Sequence, residues 1–474
     1  MTPIFEKRVR LEEYLMEDKL NKKIVLLVAT LGAFIVPFMV SSVNIALPSI
    51  GKEFAMNTVL LNWVVLSFML SIAVFILPFG RLADIFGRKR LLLYGMSFFT
   101  LASIICGISF NAGMLIASRA LQGISSAMVS VTLVSILSSV YFQGDRGRAL
   151  GINVAATYIG LSSGPFLGGF LTKYLGWRSI FFLVVPIGII VIIILLNLKQ
   201  DWAEAKGEEF DYKGSIIYSV GLFGVVYGLS LVRSFWGPIL ILMGFILLII
   251  FGFYENRIKN PILNMTLIKN NKILTFSSLA ALINYSATFV ISYLLSLYLQ
   301  YIKGFDPQQT GLILVAQPLV QALFSPIAGR LSDRIEPQMV ASLGMAVTSA
   351  GLAFFIFLTE NTSIKYIIAA LLVVGFGFAL FSSPNTNAIM GSVAKKYYGV
   401  ASGIIGSARS VGQTFSMGIT SLVMVFYMGN VQISHSNHPN FIISVKVTFI
   451  ILTILCFFGI FASISRGKIN KIKE

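Results

Sequence analysis

Two arginines stand inside long apolar stretches, each with an amide one helical turn away: Arg119 with Gln122 at i+3, and Arg409 with Gln413 at i+4. A lone guanidinium in such surroundings costs about 2.5–3.5 kcal/mol on membrane-insertion scales, so it is expected to face a wet cavity or to bond backbone carbonyls. Of the two, the cavity is the expectation here. Gln317 and Gln321 form another i, i+4 pair, and Asn284, Tyr285, Thr288 and Tyr293 add polar groups to a further stretch. Pro384, Asn385 and Asn387 interrupt another, and Asn153 and Tyr158 complete the proposed lining. For each of these polar residues alone, an interhelical hydrogen bond is the more ordinary role. No carboxylate falls in the middle of an apolar stretch, so the chemistry on offer is recognition by guanidinium and amide groups. Lys446 lies near enough to a stretch end to snorkel. Cys106 and Cys456 sit in apolar runs and read as small core residues. His435 and His438 share a polar loop without a nearby Cys or carboxylate, a poor metal site. No Cys/His or acid-pair constellation of a membrane enzyme is visible, and neither a metal nor a cofactor is expected.

The elements that hold these residues follow from composition. Hydrophobic residues make up 56% of the 474 and charged residues 12%, against about 25% charge in a soluble domain. The mean hydropathy is +0.86. A soluble enzyme and a disordered chain are both excluded. Fourteen apolar runs span roughly 24–47, 58–79, 91–109, 113–140, 148–172, 178–198, 213–232, 236–255, 273–301, 310–329, 338–359, 365–388, 400–427 and 442–464. Runs of this length must be helices, because lipid cannot satisfy open backbone groups. If both termini are cytoplasmic, 27 of the 36 Lys and Arg fall on the cytoplasmic side. Six (Lys52, Lys173, Arg178, Arg233, Lys303 and Lys365) fall outside and three lie within spans, a bias that fixes the orientation. The net charge of +17 then faces anionic head groups, so the expected partners are membrane lipids and not nucleic acid. Residues 1–23 read as a cytoplasmic amphipathic segment and not as a signal peptide.

An internal repeat organises the runs. Gly80-Arg81-Leu82-Ala83-Asp84 returns as Gly329-Arg330-Leu331-Ser332-Asp333, and Gly147, Gly151 and Gly160 return as Gly399, Gly403 and Gly412 at nearly the same offset. Two halves follow, 24–198 and 273–464, with a linker of two additional spans at 199–272 and a tail at 465–474. In the first half Gly160, Gly164 and Gly168 recur every four residues, letting a neighbouring backbone come close, and Pro165 favours a bend.

At these residues a family resemblance becomes specific. Gly80 to Arg90, with Asp84, Gly87 and Arg88, resembles the cytoplasmic loop signature of the major facilitator superfamily. Arg119-Ala120-Leu121-Gln122-Gly123 is similar to its fourth-helix motif. Gly160 to Gly169, including Gly164, Pro165 and Gly168, resembles its fifth-helix antiporter motif. Asn44-Ile45-Ala46-Leu47-Pro48 and Asn62-Trp63 resemble the fourteen-span drug:proton antiporter branch. The resemblance implies an all-α membrane protein of fourteen spans, two six-helix halves in pseudo-two-fold symmetry plus two inserted central helices. It assigns gating to Gly80, Arg81, Asp84, Gly87, Arg88 and Asp333. It also implies a multi-pass protein of the cell membrane, monomeric, exporting small lipophilic substrates by alternating access, with an ion gradient, protons first, as the energy source. One position departs: where the branch carries a first-helix Asp, this chain has Met39. With two arginines and no mid-span acid, the expected substrate is neutral, or amphiphilic with an anionic group. A specific anionic or neutral metabolite, imported or exported, is the alternative.

Overall fold

The computed structural model describes the backbone of residues 3–141, 146–393 and 398–467, and the side chains from residue 22 onward within these ranges except at 146–147, 333 and 398–399. The helices in chain order are α1 (Pro3–Glu53), α2 (Thr58–Phe86), α3 (Arg88–Gly107), α4 (Ala112–Val140), α5 (Arg146–Leu175), α6 (Arg178–Asn197), α7 (Tyr212–Ser230) and α8 (Trp236–Glu255). They continue with α9 (Met265–Asn270), α10 (Lys272–Thr288), α11 (Val290–Leu297), α12 (Pro307–Leu314), α13 (Ala316–Arg334), α14 (Pro337–Ile356), α15 (Ile364–Gly391), α16 (Tyr398–Tyr427) and α17 (His438–Ser465). A π-helical turn, Tyr298–Ile302, extends α11. With α10–α11 and α12–α13 each counted as one broken rod, and the six-residue α9 set aside, the described residues form fourteen rods. Twelve are long and apolar enough to cross a membrane by length and composition; α7 and α16, which fall short of that measure, lie among them.

Helix starts are set by side-chain caps. Asn57, Asn111 and Asn271 each accept the backbone N–H three residues on, and Asp306 forms a full capping box with Gln309. A single residue, Gly87, joins α2 to α3 at φ +112°, a conformation that requires glycine.

The packing repeats between the halves. In the first, α1 lies on α5 and α6, α4 on α2 and α3, and α3 on α6; in the second, α10 lies on α16 and α17, α15 on α13 and α14, and α14 on α17. The repeat extends to single contacts. A Cβ at Gly160 would stand 2.5 Å from the Phe34 carbonyl of α1, and one at Gly412 would stand 2.4 Å from the Leu282 carbonyl of α10. The halves meet along two seams, α2 with α16 and α5 with α12.

The inserted helices α7 and α8 form a hairpin held by glycine. Gly221 opposes Gly244, and Gly228 opposes Gly237, at distances that leave no room for side chains. The α7 helix touches both α2 and α16. The α8 helix exposes Leu242, Met243, Phe245, Ile246, Ile249 and Phe253 on the periphery.

Two expectations change. The polar N-terminal stretch, expected as a segment of its own, is continuous with the first span: the helix that begins at Pro3 runs unbroken to Glu53. The ninth and tenth apolar runs are each broken, at Phe289 and at Val315.

Candidate functional site

The clearest cation with open bonding capacity is Arg409. Its guanidinium carbon lies 5.0 Å above the Tyr285 ring, and the Tyr158 phenol of α5 stands near it from the other half. Its Nε has no hydrogen-bond partner, and the side chain is partly accessible. The Tyr285 ring is braced edge-on by Phe378 at 5.4 Å. The neighbouring Asn284 is fully buried, yet neither its amide nitrogen nor its oxygen is satisfied. Buried polar atoms normally find partners, so these are bonding positions left open by the protein. Gln413, one turn from Arg409, and Gln317 on α13 are partly accessible, and neither forms a hydrogen bond with another described side chain or backbone group. No described carboxylate pairs with Arg409.

Other expected lining residues are taken up in packing. Arg119 does not face a cavity: it is 1% exposed. It donates from Nε to the Val64 carbonyl at 3.1 Å and from Nη1 to Gln122 Oε1 at 2.5 Å, and it covers the Phe68 ring at 4.1 Å. Gln122 is held in turn by Ser103 at 2.8 Å. Charge-assisted bonds to a motif amide and a facing backbone replace the solvation that a cavity would have supplied. Asn153 donates to the Ala29 carbonyl at 3.0 Å, joining α5 to α1. Asn385 bridges the Ser277 carbonyl and the Arg466 guanidinium. Gln321 is buried. Met39 is fully buried, so the first-helix position that lacks the acid is ordinary apolar core.

The Gly80–Arg90 loop is clasped by an acidic segment that follows α6. Arg88 is buried, paired to Asp84 at 2.7 Å and to Glu204 at 2.6 Å, and donates to the Ser135 carbonyl of α4. Arg81 pairs with Glu208. Asp201 accepts the Lys89 N–H at 2.8 Å and fills the space where a Cβ on Gly87 would stand. The backbone joins as well: Arg88 N to Trp202 O at 2.8 Å and Ala205 N to Asp84 O at 2.9 Å. Gly80 faces open space. The second-half counterpart, Asp333, lies on α13, but its side chain is outside those described.

On α5 the glycine motif faces two neighbours. Gly160, Gly164 and Gly168 lie against Phe34, Ser41 and Ser42 of α1, and the Ser42 hydroxyl donates to the Gly164 carbonyl at 3.0 Å. Gly169 lies instead against Pro307 of the other half, and the Pro165 carbonyl stands 2.0 Å from where a Cβ on Gly311 would be.

The two ends of the seams differ. At the Glu53 end the halves are bonded. Thr58 N and Oγ1 donate to Val431 O and Gly429 O. Ser296 donates to the Asn44 carbonyl at 2.6 Å and Gln300 to the Ile45 carbonyl at 2.9 Å. Lys173 pairs with Asp306 at 3.1 Å. Burial raises the Asp306 carboxyl, but the Gln309 N–H and the Lys173 ammonium outweigh it, and the group is held below the usual carboxylate range. At the Gly80 end no hydrogen bond between described residues joins the halves, and a Cβ at Gly151 or Gly403 would meet nothing within 4 Å. Among the described residues, hydrogen bonds and an ion pair thus join the halves at the Glu53 end, while Gly151 and Gly403 stand exposed toward the Gly80 end.

Three features escaped sequence reading. Arg466, counted with the polar tail, is 1% exposed and bonds Ser277, Asn385 and Ser463, tying α17 to α10 and α15. Burial pushes its guanidinium down to about 10. The acidic clasp from 201 to 208 is a second. The third is an acid pair, Asp211 with Glu255, formed across 44 positions of sequence and invisible as a local pattern.

Two repeated halves of helices long and apolar enough to cross a membrane, meeting along two seams, have the architecture of a membrane transporter. The model of the Major Facilitator Superfamily matches residues 29–256 and 277–469, and the chain belongs to that family. It is 32% identical over 413 residues to the multidrug resistance protein Stp of Mycobacterium tuberculosis, covering 85% of this chain and 76% of that one. It is 28% identical to the riboflavin transporter RibZ of Clostridioides difficile, covering 94% and 97%. It is 28% identical to the puromycin resistance protein pur8 of Streptomyces alboniger, covering 80% and 77%. Among solved structures, a bacterial homologue of the human lysosomal transporter Spinster, described as inward-facing and unoccupied, superposes with a TM-score of 0.67 at 15% identity, covering 94% of this chain and 97% of that one. That likeness speaks to the fold.

Proposed function

We propose that this transporter exports lipophilic or amphiphilic small molecules, neutral or carrying an anionic group, by alternating access, as a member of the fourteen-span drug:proton branch. The observation that carries the substrate class is Arg409 over Tyr285, unpaired by any described carboxylate, beside the unsatisfied Asn284. In a low-dielectric cleft a cationic substrate would lose hydration and meet repulsion there, whereas an anionic or hydrogen-bonding one would gain a partner. The relatives named for multidrug and puromycin resistance support export. The positive-inside bias supports a cell-membrane orientation with the Gly80 loop and both termini cytoplasmic, so the end toward which Gly151 and Gly403 stand exposed faces the cytoplasm. The Gly80–Arg90 loop and the α5 glycine seam are then the moving parts, and protons are the proposed driving ion.

A panel of cationic, neutral and anionic amphiphiles, assayed in vesicles with and without an imposed pH gradient, tests this. Accumulation of neutral and anionic members, driven by the gradient, is expected. Accumulation restricted to permanent cations would overturn the substrate class. A second reading, transport of one specific neutral or anionic metabolite, is favoured by the relative named as a riboflavin transporter, whose alignment covers nearly both chains. A single accepted compound in the panel would select it.

A further inference from the structure

The inserted hairpin carries a pair of buried acids at its base. Asp211 caps α7 and Glu255 ends α8; Glu255 is 2% exposed and Asp211 9%. Two of the four carboxylate oxygens have hydrogen-bond partners and two have none. Asp211 Oδ1 accepts the Gly214 N–H at 2.9 Å and the Tyr254 hydroxyl at 3.3 Å, and Glu255 Oε2 accepts the Leu263 N–H at 2.9 Å. Asp211 Oδ2 and Glu255 Oε1 are buried without any partner. Both crowd one point: a Cβ on Gly214 would stand 1.9 Å from the first and 2.4 Å from the second. Glycine at 214 is what lets two carboxyls meet there.

The charged surroundings do not relieve the pair. The groups facing the pair are the Tyr254 hydroxyl, the Gly214 N–H, and the Ile262 and Leu263 N–H groups of the segment after α8. Of the helices flanking α7, α2 carries Arg81, which is paired to Glu208, and no described cation of α2 or α16 forms an ion pair with either acid. Lys213, Arg257 and Lys259 are exposed, and no described Lys, Arg or His forms an ion pair with either acid. Two buried carboxylates in contact without a cation cannot both be ionised, because each desolvated charge raises the cost of the other. Two orphan acceptors facing one another lack a single donor, and a proton supplies it.

We propose that Asp211 and Glu255 form a proton-binding site that holds one proton between Oδ2 and Oε1 at neutral pH. The step is a protonation from solvent: one carboxylate becomes a carboxylic acid and donates to the other. The site lies outside the Arg409 cleft, on the hairpin that grips both halves. Tyr218 of α7 donates to the Ala73 carbonyl of α2 at 2.8 Å, and Ser230 meets Ser421 of α16 at 3.0 Å. When the proton leaves, two like charges repel at the base of α7 and α8, and that grip loosens. A proton held here is a titratable group that the apolar Met39 position cannot provide.

Infrared spectroscopy of the purified full-length protein in lipid nanodiscs tests the site without any flux measurement. The wild type should show a protonated-carboxyl carbonyl band at neutral pH that disappears on alkalinisation. Glu255→Gln and Asp211→Asn should each abolish that titrating band. Thermal melting gives the second reading. A proton bound in the folded state stabilises it at lower pH, and that stabilisation is lost as pH rises through the folded value. The wild type should therefore lose more melting temperature than Glu255→Gln between neutral and alkaline pH. Should Glu255→Gln fail to fold, Gly214→Ala, which keeps both acids and inserts a methyl between them, should shift the band. No band in the wild type at neutral pH, or an unchanged band in both acid variants, overturns the proposal. So does saturable thermal stabilisation by sodium or calcium that is lost in Glu255→Gln, which would make the pair a metal-cation site.

Discussion

At the scale of single residues, two arginines of the same type in similar apolar settings have opposite duties, and the difference lies in their partners. Arg119 spends its donors on the Val64 carbonyl and Gln122. Replacing it with Ala removes both bonds inside the first half, and bonds of this charge-assisted kind are worth about 1.5–3 kcal/mol each. Arg119→Ala should therefore lower the melting temperature measurably. Arg409 retains an unpartnered Nε over Tyr285. Arg409→Ala should leave the melting temperature close to wild type while reducing transport of anionic amphiphiles at least tenfold in vesicle flux, with cationic members relatively favoured. If the two variants exchange behaviours, the Arg409 pocket is not the binding site. The chain sequence shows why these residues are unusual but not which one is free. The i+3 spacing of Gln122 hints that Arg119 satisfies itself, yet the Val64 carbonyl comes from another helix and leaves no trace in spacing. Arg466 is the converse case. By sequence it belongs with the basic tail, and only the meeting of α10, α15 and α17 encloses it.

At the scale of elements, the hydropathy pattern made the rods legible because lipid forces helices, and the repeated glycines made the halves legible because close backbone contact admits nothing larger. What remained hidden was which neighbour each glycine faces. Gly164 serves contact within a half, against Ser41 of α1, whereas Gly169 serves contact between halves, against Pro307. These positions predict different failures. Gly164→Leu should drive α1 from α5 and reduce both folded yield and flux. Gly169→Leu should spare folding, because its obstacle lies in the other half, but it should block closure at the Glu53 end. Substrate binding from the Gly80 side should survive while flux falls; equal loss of folded protein in both variants would refute the distinction. The loop clasp is also an element-scale device. Arg88 is shared between Asp84 of its own loop and Glu204 of the segment after α6. Asp84→Asn should slow flux with little loss of substrate binding, since the Arg88 contacts to Ser135 and Glu204 keep the loop in place; loss confined to binding would contradict a gating role.

At the scale of the whole molecule, alternating access requires two arrangements of the halves that differ by little free energy. The present arrangement joins the halves where Thr58, Ser296, Gln300 and Lys173 reach across, and leaves Gly151 and Gly403 exposed toward the other end. Both native cysteines are buried, so single introduced cysteines report access with little background. Gly151→Cys and Gly403→Cys should react readily with a membrane-impermeant maleimide supplied from the Gly80 side, and substrate that drives the halves over should protect them. The Lys173–Asp306 pair sets how firmly the closed end holds. Because the closed-state carboxyl is held below its ordinary range, the pair contributes above the ordinary Asp value and is lost as pH falls through the lowered one. Labelling should thus stay constant through the neutral range and change only below about pH 4. Asp306→Asn should reproduce that acid effect at neutral pH. The pair is partly exposed on both sides, and such pairs are weak in high dielectric, so the shift in labelling should be a few-fold. The several hydrogen bonds to the backbone at the same end should carry the rest of the closure. A complete loss of the closed state in Asp306→Asn would instead make this one ion pair the dominant latch and the surrounding hydrogen bonds secondary.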